Sequence, residues 1–194
     1  MYPYFELMKN TGQTLQYIRT YWKDRKIASV TPSSSFAVRR ICGKIDFTRN
    51  NIIVECGPGS GVFSFAILNQ MSQNSKLILI ESNRDFFEYL QRHINDARVF
   101  VFYDNAINLP CIVKQLGIGV VDYVILGIPF SFTEHELNHK IIAHSKGVLR
   151  KGGKLIVYQF SPRVKKYLKH HFEEIRTGFE VLNVPPLIIF EASD

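Results

Sequence analysis

Beyond residue 50, short apolar and β-branched runs alternate with stretches whose apolar positions recur at helical spacing. Runs at 51–56, 76–80, 98–103, 120–126 and 154–160 read as strands. Two further runs, 172–182 and 186–191, flank Asn183-Val184-Pro185-Pro186 and read as a hairpin. Between the strands, Phe87, Leu90 and Ile94 recur at i, i+3, i+7, and Leu137, Ile141 and Val148 at i, i+4, i+11, each set on one helical face. Near-continuous apolar strands joined by helices make a parallel sheet covered on both sides. The expected fold class is α/β, a doubly wound sheet of seven strands with an antiparallel edge hairpin, preceded by N-terminal helices.

Local signals punctuate this pattern. Ser82-x-x-Asp85 and Thr133-x-x-Glu136 read as capping patterns that open helices, and Gly152-Gly153 as a helix stop. Residues 162–171 read as one short basic helix. Residues 1–45 precede the first strand and read as two helices separated by Thr31-Pro32-Ser33-Ser34-Ser35. In the first of these, Leu15, Ile18 and Trp22 share a face, and Arg19, Lys23, Arg25 and Lys26 cluster at its end. The chain thus divides into a helical segment, 1–45, and a core, 46–194, within one domain.

Composition narrows the class. The chain has 194 residues, 46% of them apolar and 13% aromatic, which excludes collagen-like, low-complexity and largely disordered chains. The net charge of +7 favours an acidic partner, either nucleic acid or an anionic membrane surface. Three cysteines without a Cys-x-x-Cys pair suggest neither a disulfide framework nor a thiolate metal site, which fits a reducing cytoplasm. The longest uncharged run, between Glu55 and Lys76, carries glycines, a proline and several amides, so it does not read as a membrane span. No secretory signal is read at the N-terminus.

The most informative segment is Glu55-Cys56-Gly57-Pro58-Gly59-Ser60-Gly61, placed where the first strand turns into a helix. Glycines there permit a tight turn and close approach of backbone N–H groups to a ligand. The spacing Gly-x-Gly-x-Gly differs from the dinucleotide pattern Gly-x-Gly-x-x-Gly. Glu81, twenty residues beyond Gly61, stands at the end of the second strand, where a carboxylate can accept hydrogen bonds from ribose hydroxyls. Asp104 stands at the end of the third strand and can meet an adenine amino group. Three acids at consecutive strand ends repel a pyrophosphate and favour a cationic nucleoside.

This combination resembles the class I S-adenosylmethionine-dependent methyltransferases, with their Rossmann-like sheet and antiparallel last strand, over residues 51–191. More narrowly, Thr31-Pro32-Ser33-Ser34, the glycine loop through Phe63, Leu126-Gly127-Ile128-Pro129-Phe130, Leu149-Arg150-Lys151-Gly152-Gly153 and Asn183-Val184-Pro185-Pro186 resemble the bacterial phospholipid N-methyltransferases. That resemblance implies methylation of phosphatidylethanolamine toward phosphatidylcholine, with S-adenosylmethionine as cofactor. It implies that Glu55, Gly57, Gly59 and Gly61 hold the methionine part, Glu81 and Ser82 the ribose, and Asp104 with Asn105 the adenine. Ser33 and Ser34 would close over the cofactor, and Gly127 would border it. Ribosomal RNA adenine dimethyltransferases share the glycine loop but present a polar side chain before the hydrophobic-Pro-aromatic step, where this chain has Gly127. The sequence also ends three residues after Glu191, leaving no room for an added RNA-binding domain, so nucleic acid is disfavoured as partner. A soluble amine substrate, or a non-catalytic module with a nucleoside pocket, are the other readings.

Methyl transfer to a protonated amine needs a base, and His135 and Glu134, just after the fourth strand, are the candidates. Pro129, Phe130, Phe132 and Tyr158 would wall the acceptor, the aromatics through cation–π contact with a methylated ammonium. Tyr21 and Trp22 would sit at a headgroup boundary on the basic first helix. Arg163, Lys165, Lys166 and Lys169 form a second basic site. His135-Glu136-Leu137-Asn138-His139 matches the His-Glu-x-x-His pattern of zinc proteases, but it begins at an expected helix terminus, so no metal is expected. The partners expected are a phospholipid and an anionic membrane surface, with no obligate protein partner, and the location is cytoplasmic and peripheral to a membrane.

Overall fold

A computed structural model describes residues 35–183 and 185–194. Tyr21, Trp22, Ser33 and Ser34 lie outside the described residues. In chain order the elements are α1 (Ser35–Cys42), β1 (Ile52–Cys56), α2 (Val62–Leu68), β2 (Lys76–Glu81), α3 (Arg84–His93) and β3 (Val99–Tyr103). They continue with α4 (Leu109–Gln115), β4 (Val121–Leu126), α5 (His135–Val148), β5 (Leu149–Gln159), α6 (Lys165–His171), β6 (Glu174–Glu180) and β7 (Leu187–Ser193). Short 3-10 turns precede α4 (Ala106–Asn108) and α6 (Pro162–Val164).

The seven strands form one sheet in the order β3-β2-β1-β4-β5-β7-β6. Strands β1 to β5 are parallel, and β7 inserts antiparallel between β5 and the edge strand β6. The order reverses between β1 and β4, so the ends of these two strands flank the crevice where open α/β sheets bind ligands. Alternate strand residues feed two cores. Val54, Cys56, Ile80, Val124, Leu126 and Val157 pack under α4, α5 and α6. Ile53, Leu79, Ile125 and Ile156 pack under α1, α2 and α3, with Ala37, Ile41 and Cys42 of α1 buried there. Helix α1 is thus part of the same packing as the sheet. The loop after it is tied to β7, because Lys44 Nζ and Lys154 Nζ both donate to Glu191, at 2.7 and 2.8 Å.

Local punctuation departs from expectation at three places. The cap of α3 is Asn83 rather than Ser82, its side chain accepting from the N–H groups of Asp85 and Phe86. Helix α5 has Glu134 at its N-cap with no side-chain cap bond; the Thr133 hydroxyl donates to Asn138 Oδ1 and does not accept from a backbone N–H of the first turn. Gly152-Gly153 does not end α5, which stops at Val148; both glycines lie inside β5, where the register against β4 shifts. A Cβ on Gly153 would approach the Arg150 and Asp122 carbonyls at 2.9 and 3.0 Å, so the bulge itself demands glycine.

Candidate active site

The carboxyl ends of β1 to β5 bring most of the expected residues to one crevice. After β1 the chain turns through Gly57, Gly59 and Gly61, all with positive φ (74°, 56° and 79°), which other residues rarely adopt. At Gly61 a Cβ would also meet Leu90 at 2.7 Å, so α2 starts close against α3. At Gly59 no atom lies within 4 Å of an added Cβ, leaving open space before the loop backbone.

Glu81 ends β2 nearly buried and braces this loop. Its Oε2 accepts the Gly59 N–H at 2.9 Å and its Oε1 the Asn83 N–H at 2.8 Å. Burial raises its pKa, against the pull of the N–H bonds from Asn83, Gly59 and Ser82. Three N–H donors on two oxygens leave an acceptor position open, so the carboxylate can still accept a hydroxyl hydrogen. Ser82 is exposed and enters this arrangement through its backbone. One strand further, Asp104 Oδ1 accepts from Asn105 N–H and Asn108 Nδ2, both at 2.7 Å, and its Oδ2 has no partner among the described residues. The Asn105 side chain caps the following turn by accepting from Ile107 N–H.

Glu55 is placed differently from its neighbours. It is fully buried, its Oε2 takes a 2.5 Å bond from the Ser64 hydroxyl on α2, and its Oε1 has no partner. Burial, with a smaller push from the Glu81 charge and against the Ser64 bond, brings its pKa up to about 7. Its carboxyl therefore braces the start of α2 through Ser64 and keeps one oxygen unpartnered. Tyr158, near the end of β5, packs its ring on Phe63 at 4.5 Å between centroids. Burial, then Glu55 and Glu81, hold its hydroxyl well above the usual tyrosine pKa, so it stays protonated.

The acceptor side is the loop 127–134. Gly127 donates its N–H to Cys56 O, and a Cβ there would overlap the Tyr158 hydroxyl and lie 2.7 Å from Gly57 O. Pro129 is partly exposed and Phe132 is 66% exposed, whereas Phe130, expected as a wall, turns into the core at 2%. Its ring joins the apolar cluster under α4 and α5, the side with room for it. Glu134 and His135 are exposed at the start of α5, and the His135 ring lies against His139 and Tyr167.

Two positioning residues escaped the sequence reading. Asn138, buried in α5, donates to the Phe130 carbonyl at 3.1 Å and the Thr133 carbonyl at 3.4 Å, and the Gln159 amide donates to the Ile128 carbonyl. An amide between Leu137 and Ile141 on a helix face that must be buried was the available signal, since such a group needs a backbone partner. Among the described residues, no group of three histidine, cysteine or acidic side chains could hold a metal ion. No helix among them is long and apolar enough to cross a membrane.

The site fits a cationic nucleoside: a braced glycine loop with open space before it, a ribose-type carboxylate and a free Asp104 oxygen. Comparison with known proteins agrees. Residues 33–110 match the ribosomal RNA adenine dimethylase family. The chain is 29% identical over 162 residues to an ornithine lipid N-methyltransferase of Singulisphaera acidiphila, covering 82% of this chain and 84% of the relative. Among solved structures, it resembles a precorrin-6y C5,15-methyltransferase from Geobacter metallireducens at TM-score 0.67 and 13% identity, over 87% of this chain and 91% of that one. It also resembles Aeropyrum pernix fibrillarin with natively bound S-adenosyl-L-methionine, at TM-score 0.64 and 15% identity, over 80% and 73% of the two chains. The chain is an S-adenosylmethionine-dependent methyltransferase with the class I fold.

Proposed function

We propose that this methyltransferase acts on the amine of a lipid headgroup, with phosphatidylethanolamine and aminolipids of the ornithine type as the acceptors to test. The observation that carries the reading is the pairing of Gly127 with Tyr158. The position that would present a polar side chain to an RNA base is closed to any side chain by the tyrosine hydroxyl. The lipid N-methyltransferase relative, alike over most of both chains, supports the same choice. The match to the RNA adenine family favours the second reading, but it ends at residue 110 and so omits β4 and the whole acceptor loop.

S-adenosylmethionine, when bound, supplies an electrophilic methyl group on a sulfonium. For it, Glu81 would receive a ribose hydroxyl, Asp104 Oδ2 the adenine amine, and the Gly57 to Gly61 backbone the methionine part, with Glu55 bracing the start of α2 through Ser64. In-line transfer asks the protein chiefly for alignment and exclusion of water. Asn138 and Gln159 serve that end by holding three carbonyls of the acceptor loop. The amine must shed a proton to expose its lone pair. Tyr158, locked protonated, cannot take it, which leaves Glu134 and His135 as the candidate bases. Phe132 would cover the methylated ammonium.

The location proposed is the cytoplasmic face of a membrane. Exposed Phe132 in the acceptor loop and Phe160 just after β5, the latter followed by Arg163, Lys165, Lys166 and Lys169, support contact with an anionic surface. The test is a single reaction offering methyl-labelled cofactor both mixed vesicles and ribosomal RNA. Label in the lipid fraction is expected, and label in RNA alone would overturn the reading.

A further inference from the structure

Four imidazoles gather where α5 meets α6; His135, the candidate base, is one of them, and the other three have no role in the transfer. His139 is the hub: its ring centroid lies 4.8 Å from His135, 5.1 Å from His170 and 5.5 Å from His171, with Tyr167 at 4.9 Å. His170 and His171 lie 5.0 Å apart. His135 and His139 share a face because they are one helical turn apart. Between the helices, His139 Nδ1 and His171 Nε2 approach to 3.3 Å, so one nitrogen carries a proton and the other accepts it.

The charges facing the cluster are mostly positive. On α5, Lys140 is neutralised by Glu136 at 2.6 Å, and Lys146 by Asp194 at 2.6 Å while it also donates to the His171 carbonyl. Glu134 caps the helix, and Glu173 follows α6. On α6, Lys166 lies over the Tyr167 ring at 4.8 Å, and neither it nor Lys165 or Lys169 forms an ion pair among the described residues. Arg163 precedes them on the 3-10 turn. Burial, then neighbouring imidazoles and lysines, lower the pKa of His139 and His171. No metal-holding group of three exists among the described residues, and the local charge repels a cation. The ligand chemistry that fits is an anion.

We propose that His135, His139, His170 and His171, with Lys166, form a proton-dependent binding site for a phosphate diester. In the empty cluster, one shared proton satisfies the His139–His171 pair, and a second turns both nitrogens into facing donors that repel. That repulsion opens the 3.3 Å contact, and a phosphate oxygen entering the gap accepts from both nitrogens, so anion binding and proton uptake from solvent favour one another. The site therefore fills as pH falls through the imidazole range. The diester could belong to a lipid headgroup or to a soluble ester. The inference does not depend on which amine is methylated.

The test uses the full chain without cofactor, following the imidazole resonances by NMR. Dimethyl phosphate, whose charge is constant over the range, is titrated at about pH 6 and about pH 7.5, and phosphatidylglycerol vesicles are tested in parallel. The expected result is binding roughly tenfold tighter at the lower pH, with the imidazole pKa values raised. In a folded His139→Gln/His171→Gln variant that pH dependence is lost, whereas Lys166→Gln weakens binding alike at both pH values. Response to the soluble diester assigns free esters as sufficient, and response to vesicles alone assigns the headgroup; either supports the site. Binding independent of pH, binding unchanged in the double variant, or no response to either probe overturns it. Because no methyl transfer is read, failure here leaves the proposed acceptor untouched.

Discussion

The hydroxyl of Tyr158 fills the space that a side chain on Gly127 would need. One residue borders the cofactor loop and the other lies near the end of β5, so the pair joins the two halves of the crevice. Gly127→Ala must push the tyrosine aside and also crowd Gly57 O at 2.7 Å. Such overpacking costs about 1–3 kcal/mol. The expected outcome is a lowered Tm and a loss of kcat of about a hundredfold or more, from misplacement of the acceptor loop. Tyr158→Phe removes the hydroxyl alone and restores only part of the Gly127→Ala activity, because the Gly57 clash remains.

Glu55 carries a pH signature. Its pKa rises from 4.5 to about 7 on folding because burial penalises the charge. A carboxyl raised in the folded state binds more protons there than in the unfolded chain. Its favourable contribution is complete below pH 4.5 and is lost as pH climbs to about 7, at a cost of about 3 kcal/mol at higher pH. Glu55→Gln removes the charge and flattens this slope. Denaturant melts of both proteins between pH 5 and pH 8 read the difference: wild type loses stability upward and the variant loses less.

Glu191 works in the opposite direction. Burial pulls its pKa up, but the bonds from Lys154 and Lys44 outweigh this and the net pKa is lowered. Stability from this group is therefore present above the ordinary glutamate pKa and lost as pH falls through the lowered value. Lys154→Met weakens the acid resistance of the fold, measured as the midpoint of acid unfolding, with little effect at neutral pH.

Asn138 separates the acceptor loop from the cofactor site. Asn138→Leu leaves the Phe130 and Thr133 carbonyls without their donor, a loss of about 1–3 kcal/mol. Methyl transfer is expected to fall while the Kd for S-adenosylmethionine, read by calorimetry, holds within about twofold, since the residue touches none of the cofactor-side groups. An equal loss of cofactor affinity would contradict the loop's independence.

Periodicity made the sheet legible because buried parallel strands are almost purely apolar. Each strand expected beyond residue 50 is present, with ends displaced by a few residues, most at Leu149, where β5 begins ahead of a glycine bulge that read as a helix stop. Caps were less legible, since Ser82 and Asn83 are both good caps and only backbone geometry chooses between them. The acids at the strand ends were legible through spacing. Their division of labour was not: Glu55 points under α2 and Glu81 toward the loop backbone, which depends on strand alternation and on Ser64. Phe130 and Phe132 look alike in the sequence, yet one is core and the other exposed, because the chain turns between them at Ser131.

The central claim is methyl transfer to a lipid amine. Purified protein is incubated with methyl-labelled S-adenosylmethionine and vesicles holding phosphatidylethanolamine, an ornithine-type aminolipid and an anionic lipid, and the labelled lipids are then resolved. The account predicts label in a methylated aminolipid, abolished by Glu81→Ala together with cofactor binding. Intact cofactor binding with no label in any lipid, and label instead in RNA or a soluble amine, would contradict it.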